Sequence, residues 1–361
     1  MRVLGFKPPQ NGKDIQLSLD LRIQKIVENN LVDRRGSVIV MEPYTGEIIA
    51  MASWPNFAPS VFVKRKNPDS IADYFSNPDA PLINRAISGV YPPASVFKLI
   101  VSSAALETGK INLATTFFCT GGIQIGNRRF ACWDTHNAQQ LPGGIAHSCD
   151  VFFYRTGLLL GPELIHSWAL KFGLSKPTGI ELPYESSGFL PHPLWRKIYK
   201  LRSWYDGDTA NFAIGQGEVL VTPLQLTRLM AAFANRGILL YPHIVKAIDG
   251  QAVAYYPKKP LYAPIKASTL ENIRKALREA VSLPTGTASV LSVLPVAVAG
   301  KTGSAQVSRG SAHGWFLGFF PYKEPRYVMC VFLENGGSGM ASCIVARQII
   351  QEMIAAGLVE G

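Results

Sequence analysis

Apolar positions along the chain recur with two different spacings. After Asp20, residues Ile23, Ile26, Val27 and Leu31 return every three or four positions, which predicts an amphipathic helix ending before Gly36. Residues 37–41 and 48–51 are short apolar runs on either side of Pro43-Tyr44-Thr45-Gly46, the pattern of a β-hairpin. A second hairpin is expected where residues 312–320 and 327–333 flank the turn at 321–326, and a last helix over about 342–356. Between these ends, residues 54–93 carry scattered Pro, Asn and Asp and read as loop and short helix. Pro92-Pro93 then leads into an almost wholly apolar helix from about 94 to 106, closed by Gly109. Further helices are predicted near 150–160, 163–173 and 223–236, within a mixed stretch from 110 to 235. Together these elements predict a mixed α/β (α+β) protein with a central antiparallel sheet flanked by helices.

Composition narrows the class. With 361 residues, 47% hydrophobic and 17% charged, the chain can bury a full core, which excludes a disordered protein. Five cysteines in this length exclude a small disulfide scaffold. The net charge of +11 suits anionic partners such as nucleic acid, an anionic membrane surface or acidic cell-wall polymers. No apolar stretch reaches the roughly 20 uninterrupted residues of a membrane span, and the N-terminus is not a signal peptide. Residues 1–15 read as a linker or the remnant of a removed domain, and 16–361 as the folded unit.

Three short motifs carry chemistry. In Ser95-Val96-Phe97-Lys98, residues three apart share a helix face, so the lysine amine can serve the serine hydroxyl as its base. Apolar neighbours and a helix N-terminus favour an uncharged amine at Lys98. Lys301-Thr302-Gly303-Ser304, on an expected edge strand, offers a cation and a hydroxyl to a substrate carboxylate, with a glycine to let substrate lie against the strand. Ser148-Cys149-Asp150 opens a predicted helix and supplies a serine able to relay protons. Taken singly, Ser95 could be a helix cap and Lys301 a solvated lysine. S-x-x-K, a Ser-x-Asn-type triplet and K-T-G in this order form one known set.

With these motifs the chain resembles the transpeptidase domain of class B penicillin-binding proteins, and within them the subgroup of the rod-shape elongation machinery. Asn84-Arg85-Ala86, Gly89 to Ser95, Gly207-Asp208-Thr209, Gly215-Gln216-Gly217, Thr222-Pro223-Leu224-Gln225, Gly286-Thr287-Ala288 and His313 to Phe316 extend the likeness from about Asp14 to near the C-terminus. The resemblance implies a β-lactamase/D,D-peptidase-like fold with a mainly helical subdomain. It also implies roles: Ser95 the acylated nucleophile, Lys98 its base, and Ser148 in the proton path beside Lys98 and Lys301. Lys301 and Thr302 would hold the carboxylate, with Gly303 and Ser304 completing the substrate strand. The backbone N–H groups of Ser95 and Ser304 would form the oxyanion hole. Asp150 stands where most relatives have Asn, and the elongation subgroup commonly has Asp.

The expected reaction is D,D-transpeptidation: cross-linking of peptidoglycan stem peptides through a Ser95 acyl-enzyme during cell-wall elongation, with β-lactams as inhibitors. A carboxypeptidase or β-lactamase is the rival among enzymes, and a β-lactam sensor or scaffold the rival among binding proteins. The implied partners are stem peptides, β-lactams and the polymerase and scaffold proteins of the elongation complex, with no nucleic acid. A full-length parent would face the periplasm from the inner membrane, and this chain, without the anchor, is expected to be soluble.

Cys119, Cys132, His136 and Cys149 are spaced C-x12-C-x3-H-x12-C. Three thiolates and an imidazole suit tetrahedral zinc, so these residues are a candidate structural site that would brace the second motif from behind. Elongation-type relatives with Asp, His and Cys ligands at similar places support this reading. Buried free cysteines, or a Cys119–Cys132 disulfide, are the alternatives. Cys330 and Cys343 read as core residues. The acyl transfer itself requires no cofactor.

Overall fold

The computed structural model describes residues 10–64, 68–254, 261–308 and 310–360. Strand β1 (Ile15–Leu17) precedes helix α1 (Leu21–Leu31), whose N-terminus is capped by Asp20, its carboxylate accepting from Arg22 N–H at 2.9 Å. Ile23, Val27 and Leu31 are the buried apolar positions of α1, one face at helical spacing, with Asn30 buried beside them. Strands β2 (Gly36–Met41) and β3 (Ile48–Trp54) form the predicted hairpin, and the short helices α2 (Ser60–Lys64) and α3 (Pro68–Ser76) follow. The apolar helix after Pro93 is split: residues 94–96 make a single 3-10 turn, and α4 runs Lys98–Glu107.

Four short strands come next, β4 (Phe117–Cys119), β5 (Gly122–Ile125), β6 (Arg128–Ala131) and β7 (Asn137–Gln139). Helices α5 (Leu141–Ala146), α6 (Asp150–Leu160), α7 (Pro162–Lys171), α8 (Pro193–Tyr199), α9 (Asp206–Ala213) and α10 (Pro223–Ala234) complete the subdomain. Strands β8 (Val245–Ile248) and β9 (Gln251–Ala252) join β1 in a small sheet. Helix α11 (Ala267–Ser282), strands β10 (Ala299–Ala305), β11 (His313–Phe320) and β12 (Tyr327–Leu333), and helix α12 (Gly339–Ala355) end the fold.

The central sheet is wholly antiparallel in the order β10-β11-β12-β2-β3, so the first hairpin meets the last one through β12 and β2. Side chains alternate between its faces. Val38, Val40, Phe316, Phe320, Met329 and Val331 pack with α1 and α12, whereas Ile39, Trp315, Leu317, Cys330 and Phe332 pack toward α10 and the helical subdomain. A two-sided core explains why these strands read as continuous apolar runs. It also explains α4 and α10: Lys98 to Ala105 and every residue of α10 are buried, as helices clothed on all sides must be.

Arg85 is 1% exposed and sets the loop that follows α3. Its Nε donates to Glu334 at 2.8 Å, and its terminal nitrogens donate to the Asp79 and Ala80 carbonyls. That ties the Asn84-Arg85-Ala86 block to the end of β12.

The structure departs from the sequence reading in several places, among them the short helices α5, α8 and α9 and the strands β8 and β9, which that reading did not contain. Ile15, assigned to the linker, begins β1 and pairs with Ile248, while residues 1–9 of that linker lie outside the described residues. Helix α11 was not anticipated, although Leu270, Ile273, Leu277 and Val281 are buried along one face at helical spacing. The four strands between 117 and 139 were also missed, because strands of three or four residues carry too few alternations to register.

Candidate active site

The turn that carries Ser95 is held from three directions. Tyr91 and Val221 exchange backbone hydrogen bonds of 2.9 Å, Trp315 Nε1 donates to Pro92 O at 3.0 Å, and Ala94 N–H donates to Gly215 O at 2.9 Å. These contacts keep Ala94 at φ +49°, a left-handed conformation that costs a residue with a side chain roughly 1–3 kcal/mol. Gly215, itself at φ +69°, is irreplaceable here, since a Cβ would overlap the Ala94 carbonyl. The 3-10 turn that follows lets Ser95 reach the cleft while Lys98 begins α4 behind it. Neither the turn nor α4 is capped by a side chain, so the simple capping reading of Ser95 does not hold.

Lys98 is fully buried, yet its amine does not meet the apolar surroundings its neighbours suggested. Its Nζ donates to Asp150 Oδ1 at 2.7 Å, Ser148 O at 2.8 Å and Ser148 Oγ at 3.2 Å. Ser148 can point this way because its backbone is left-handed, φ +55°, in the turn between α5 and α6. Asp150 is the first residue of α6, where the helix dipole favours a carboxylate. The Asp in place of Asn therefore forms an ion pair with Lys98.

Lys301, Thr302, Gly303 and Ser304 lie on β10, the edge strand of the sheet, so one backbone edge is free. Ser304 O faces the cleft, where Gln216 Nε2 donates to it at 3.2 Å, and in an extended strand its N–H faces the same side. Lys301 is completely buried. Burial first, and the charge of Lys98 second, hold its pKa well below the usual lysine value, against a smaller upward pull from Asp150. Gly303 also makes room for the Ser95 turn: a Cβ there would press on Ala94 Cβ at 3.2 Å, Trp315 Cβ at 3.3 Å and Pro93 O at 3.4 Å. Ser95, Ser148, Asp150, Thr302, Gly303 and Ser304 all line one cleft of about 670 Å³.

The cleft contains residues that motif reading did not single out for a role. Thr287 Oγ1 lies 2.9 Å from Thr302 Oγ1, and Thr285 Oγ1 lies 3.0 Å from His147 Nε2. Trp133 lines the cleft beside Ser148, its Nε1 donating to His147 O at 3.0 Å. The Gly215 and Thr287 blocks stood out in the sequence only as points of likeness. Nothing in their local pattern says that they fold back onto Ser95 and Thr302.

Behind the second motif, the four candidate metal ligands converge. Pairing of β4 with β7 sets Cys119 opposite Asn137 and so beside His136. Cys132 follows the β5–β6 hairpin, and Cys149 is the N-cap of α6. Their ligand atoms all lie within 4.8 Å of one another, and Cys132 Sγ and Cys119 Sγ lie 3.5 and 3.7 Å from His136 Nδ1. A tetrahedral zinc with ordinary Zn–S and Zn–N bonds would separate sulfur and nitrogen by about 3.6 Å. Two of the sulfur–nitrogen distances thus match such an ion, and the chemistry of the four residues suits it. The Cys149 thiol donates to Cys132 Sγ, which also accepts from Asp150 N–H at 3.2 Å. These bonds push the Cys132 thiol down and raise Cys149. All five cysteines are free thiols, and Cys330 and Cys343 are buried in the core as expected.

Residues 36–355 match the model of the penicillin-binding protein transpeptidase domain. The chain is 33% identical over 377 residues to the peptidoglycan D,D-transpeptidase MrdA of Escherichia coli K12, covering 98% of this chain and 60% of that relative's length. Among solved structures, Pseudomonas aeruginosa PBP2 in complex with WCK 5153 superposes with a TM-score of 0.90 at 32% identity, over 98% of this chain and 77% of that one. A Helicobacter pylori penicillin-binding protein (PBP2) in complex with MreC gives a TM-score of 0.87 at 30% identity, over 96% of this chain and 64% of that one. Sheet order, helical subdomain and the cleft shared by the three motifs accord with these matches, and the chain belongs to the penicillin-binding protein transpeptidase family.

Proposed function

We propose that this chain is a serine D,D-transpeptidase that cross-links peptidoglycan stem peptides, and that penicillins acylate it at the same residue. The observation that carries the reading is the meeting of Ser95, the Lys98–Ser148–Asp150 cluster and the β10 edge in one cleft. In this reading Lys98, once it has passed one proton to Asp150, takes the Ser95 proton as Oγ bonds to the carbonyl carbon of the D-Ala-D-Ala amide. The N–H groups of Ser95 and Ser304 hold the oxyanion. The Ser148 hydroxyl, 3.2 Å from Lys98 Nζ, passes the proton to the departing D-Ala amine. Asp150 fixes the Lys98 amine, and Lys301 and Thr302 receive the donor carboxylate. A second stem-peptide amine then takes the acyl group and frees Ser95.

The β-lactamase rival needs a base to bring water onto the acyl-enzyme. Asp150 is the only carboxylate lining the cleft among the described residues, and it is already paired with Lys98. Intact-protein mass spectrometry after incubation with benzylpenicillin should therefore show a stable one-to-one adduct that digestion maps to Ser95. No adduct on folded protein would refute the acyl-transfer reading, and a short-lived adduct with drug hydrolysis would favour the β-lactamase.

The Cys119, Cys132, His136 and Cys149 cluster would hold zinc through three sulfurs and His136 Nδ1. The ion would act structurally, fastening the β4–β7 segment to the turn that presents Ser148. Protein prepared with zinc is expected to contain one metal per chain, and chelation to lower its thermal midpoint by at least about 5 °C. Metal-free protein with an unchanged midpoint would remove zinc from the account. The relatives' names support peptidoglycan transpeptidation as the reaction, and the Helicobacter pylori complex supports a scaffold partner of the MreC kind. A role in cell-wall elongation, a polymerase partner and a periplasmic site of action beside the inner membrane belong to the same proposal, the polymerase supported by a related peptidoglycan synthase complex. Among the described residues no helix is long and apolar enough to cross a membrane.

A further inference from the structure

The loop after α11 brings a second threonine hydroxyl to Thr302. Gly286 sits so close to the Ala280 carbonyl that a Cβ would overlap it, which lets the chain fold back over the helix end. Ala288 N–H donates to Ala280 O at 2.9 Å, and Thr287 N–H donates to Ala146 O at 3.2 Å, two residues before Ser148. Anchored to both helices, the loop places Thr287 Oγ1 2.9 Å from Thr302 Oγ1, with both residues lining the cleft. Two hydroxyls that bond each other use one proton and leave the second free. An entering carboxylate gives each hydroxyl an oxygen to bond.

We infer that Thr287 is a substrate-binding residue that pairs with Thr302 to hold the carboxylate of the donor peptide or of a penicillin. Two further observations support this. No arginine or lysine lines the cleft among the described residues, so neutral donors must meet the carboxylate directly, with Lys301 buried behind Thr302. Thr285, the other hydroxyl of the loop, is occupied by His147 Nε2 at 3.0 Å. The inference rests on the acyl-transfer reading, which supplies the carboxylate-bearing substrate.

The test compares acylation rate constants for benzylpenicillin and its methyl ester, measured by intact mass on the native chain and on Thr287→Val and Thr287→Ser. A hydrogen bond to a charged group is worth about 1.5–3 kcal/mol, a factor of roughly ten to a hundred. Thr287→Val should slow acylation by the acid by that factor, leave the ester within about threefold, and be rescued in Thr287→Ser. Equal losses for acid and ester would make Thr287 a structural residue and overturn the inference. So would a native chain that reacts equally with both, or a Thr287→Val variant as fast as native with the acid. A native chain that reacts with neither would instead defeat the acyl-transfer reading itself. If Thr287→Val does not fold, Thr287→Ala is measured in its place against the same outcomes.

Discussion

Exchanging Lys98 for methionine is expected to slow acylation of Ser95 by benzylpenicillin about 10³-fold and to destabilise the fold by about 3 kcal/mol. The kinetic loss follows from removing the amine that follows Ser95 by one helical turn and bonds Ser148. The stability loss has a separate cause. Asp150 Oδ1 accepts from Lys98 at 2.7 Å, and its side chain is only 18% exposed, so methionine would leave a nearly buried carboxylate without its cation. Its seat at the α6 N-terminus keeps the cost toward the lower end for a broken buried pair. Adding Asp150→Asn should restore most of the stability and none of the rate, as urea unfolding and adduct kinetics on the three proteins would show. A Lys98→Met protein acylated within tenfold of native would exclude Lys98 as the base.

Lys301→Met should act in the opposite sense on stability. A lysine buried completely, with its pKa held down by burial and by Lys98, costs the folded state whenever the unfolded chain is protonated. Between the depressed folded value and the ordinary lysine value of about 10.4, the unfolded chain binds more protons than the folded one. Native stability therefore rises with pH across that window. Methionine removes this dependence. The variant should melt above native near pH 7, and its advantage should shrink as pH approaches about 10. Acylation by benzylpenicillin should meanwhile fall about 10²-fold, because the buried amine behind Thr302 would no longer favour a carboxylate. A variant less stable than native at pH 7, or an advantage that grows with pH, would contradict this account. Under the proposed function, Lys301 sits where packing alone would not place it.

How much of this was readable beforehand depended on the range of the interactions involved. α1, both hairpins and α6 were legible because each is set by neighbours within a few residues: the Asp20 cap, the Pro43 to Gly46 turn, the Cys149 cap. The three motifs were legible because their order and residue types are distinctive. The Cys/His cluster was legible as spacing alone. By contrast, the ion pair of Lys98 with Asp150 joins residues 52 positions apart, and no periodicity announces it. The lysine expected to lie among apolar groups meets a carboxylate, while the burial that depresses a lysine falls on Lys301.

By itself, the sequence determined the antiparallel α/β class, the three motifs and the members of the Cys/His cluster, because local spacing and residue chemistry encode them. Only the tertiary structure decided that Gly303 makes room for the nucleophile turn, that Gly215 holds Ala94 in a left-handed conformation, and that Thr287 stands beside Thr302. These depend on close approach between segments far apart in the chain. Such contacts are fixed by core packing on both faces of the sheet, which short-range pattern cannot specify.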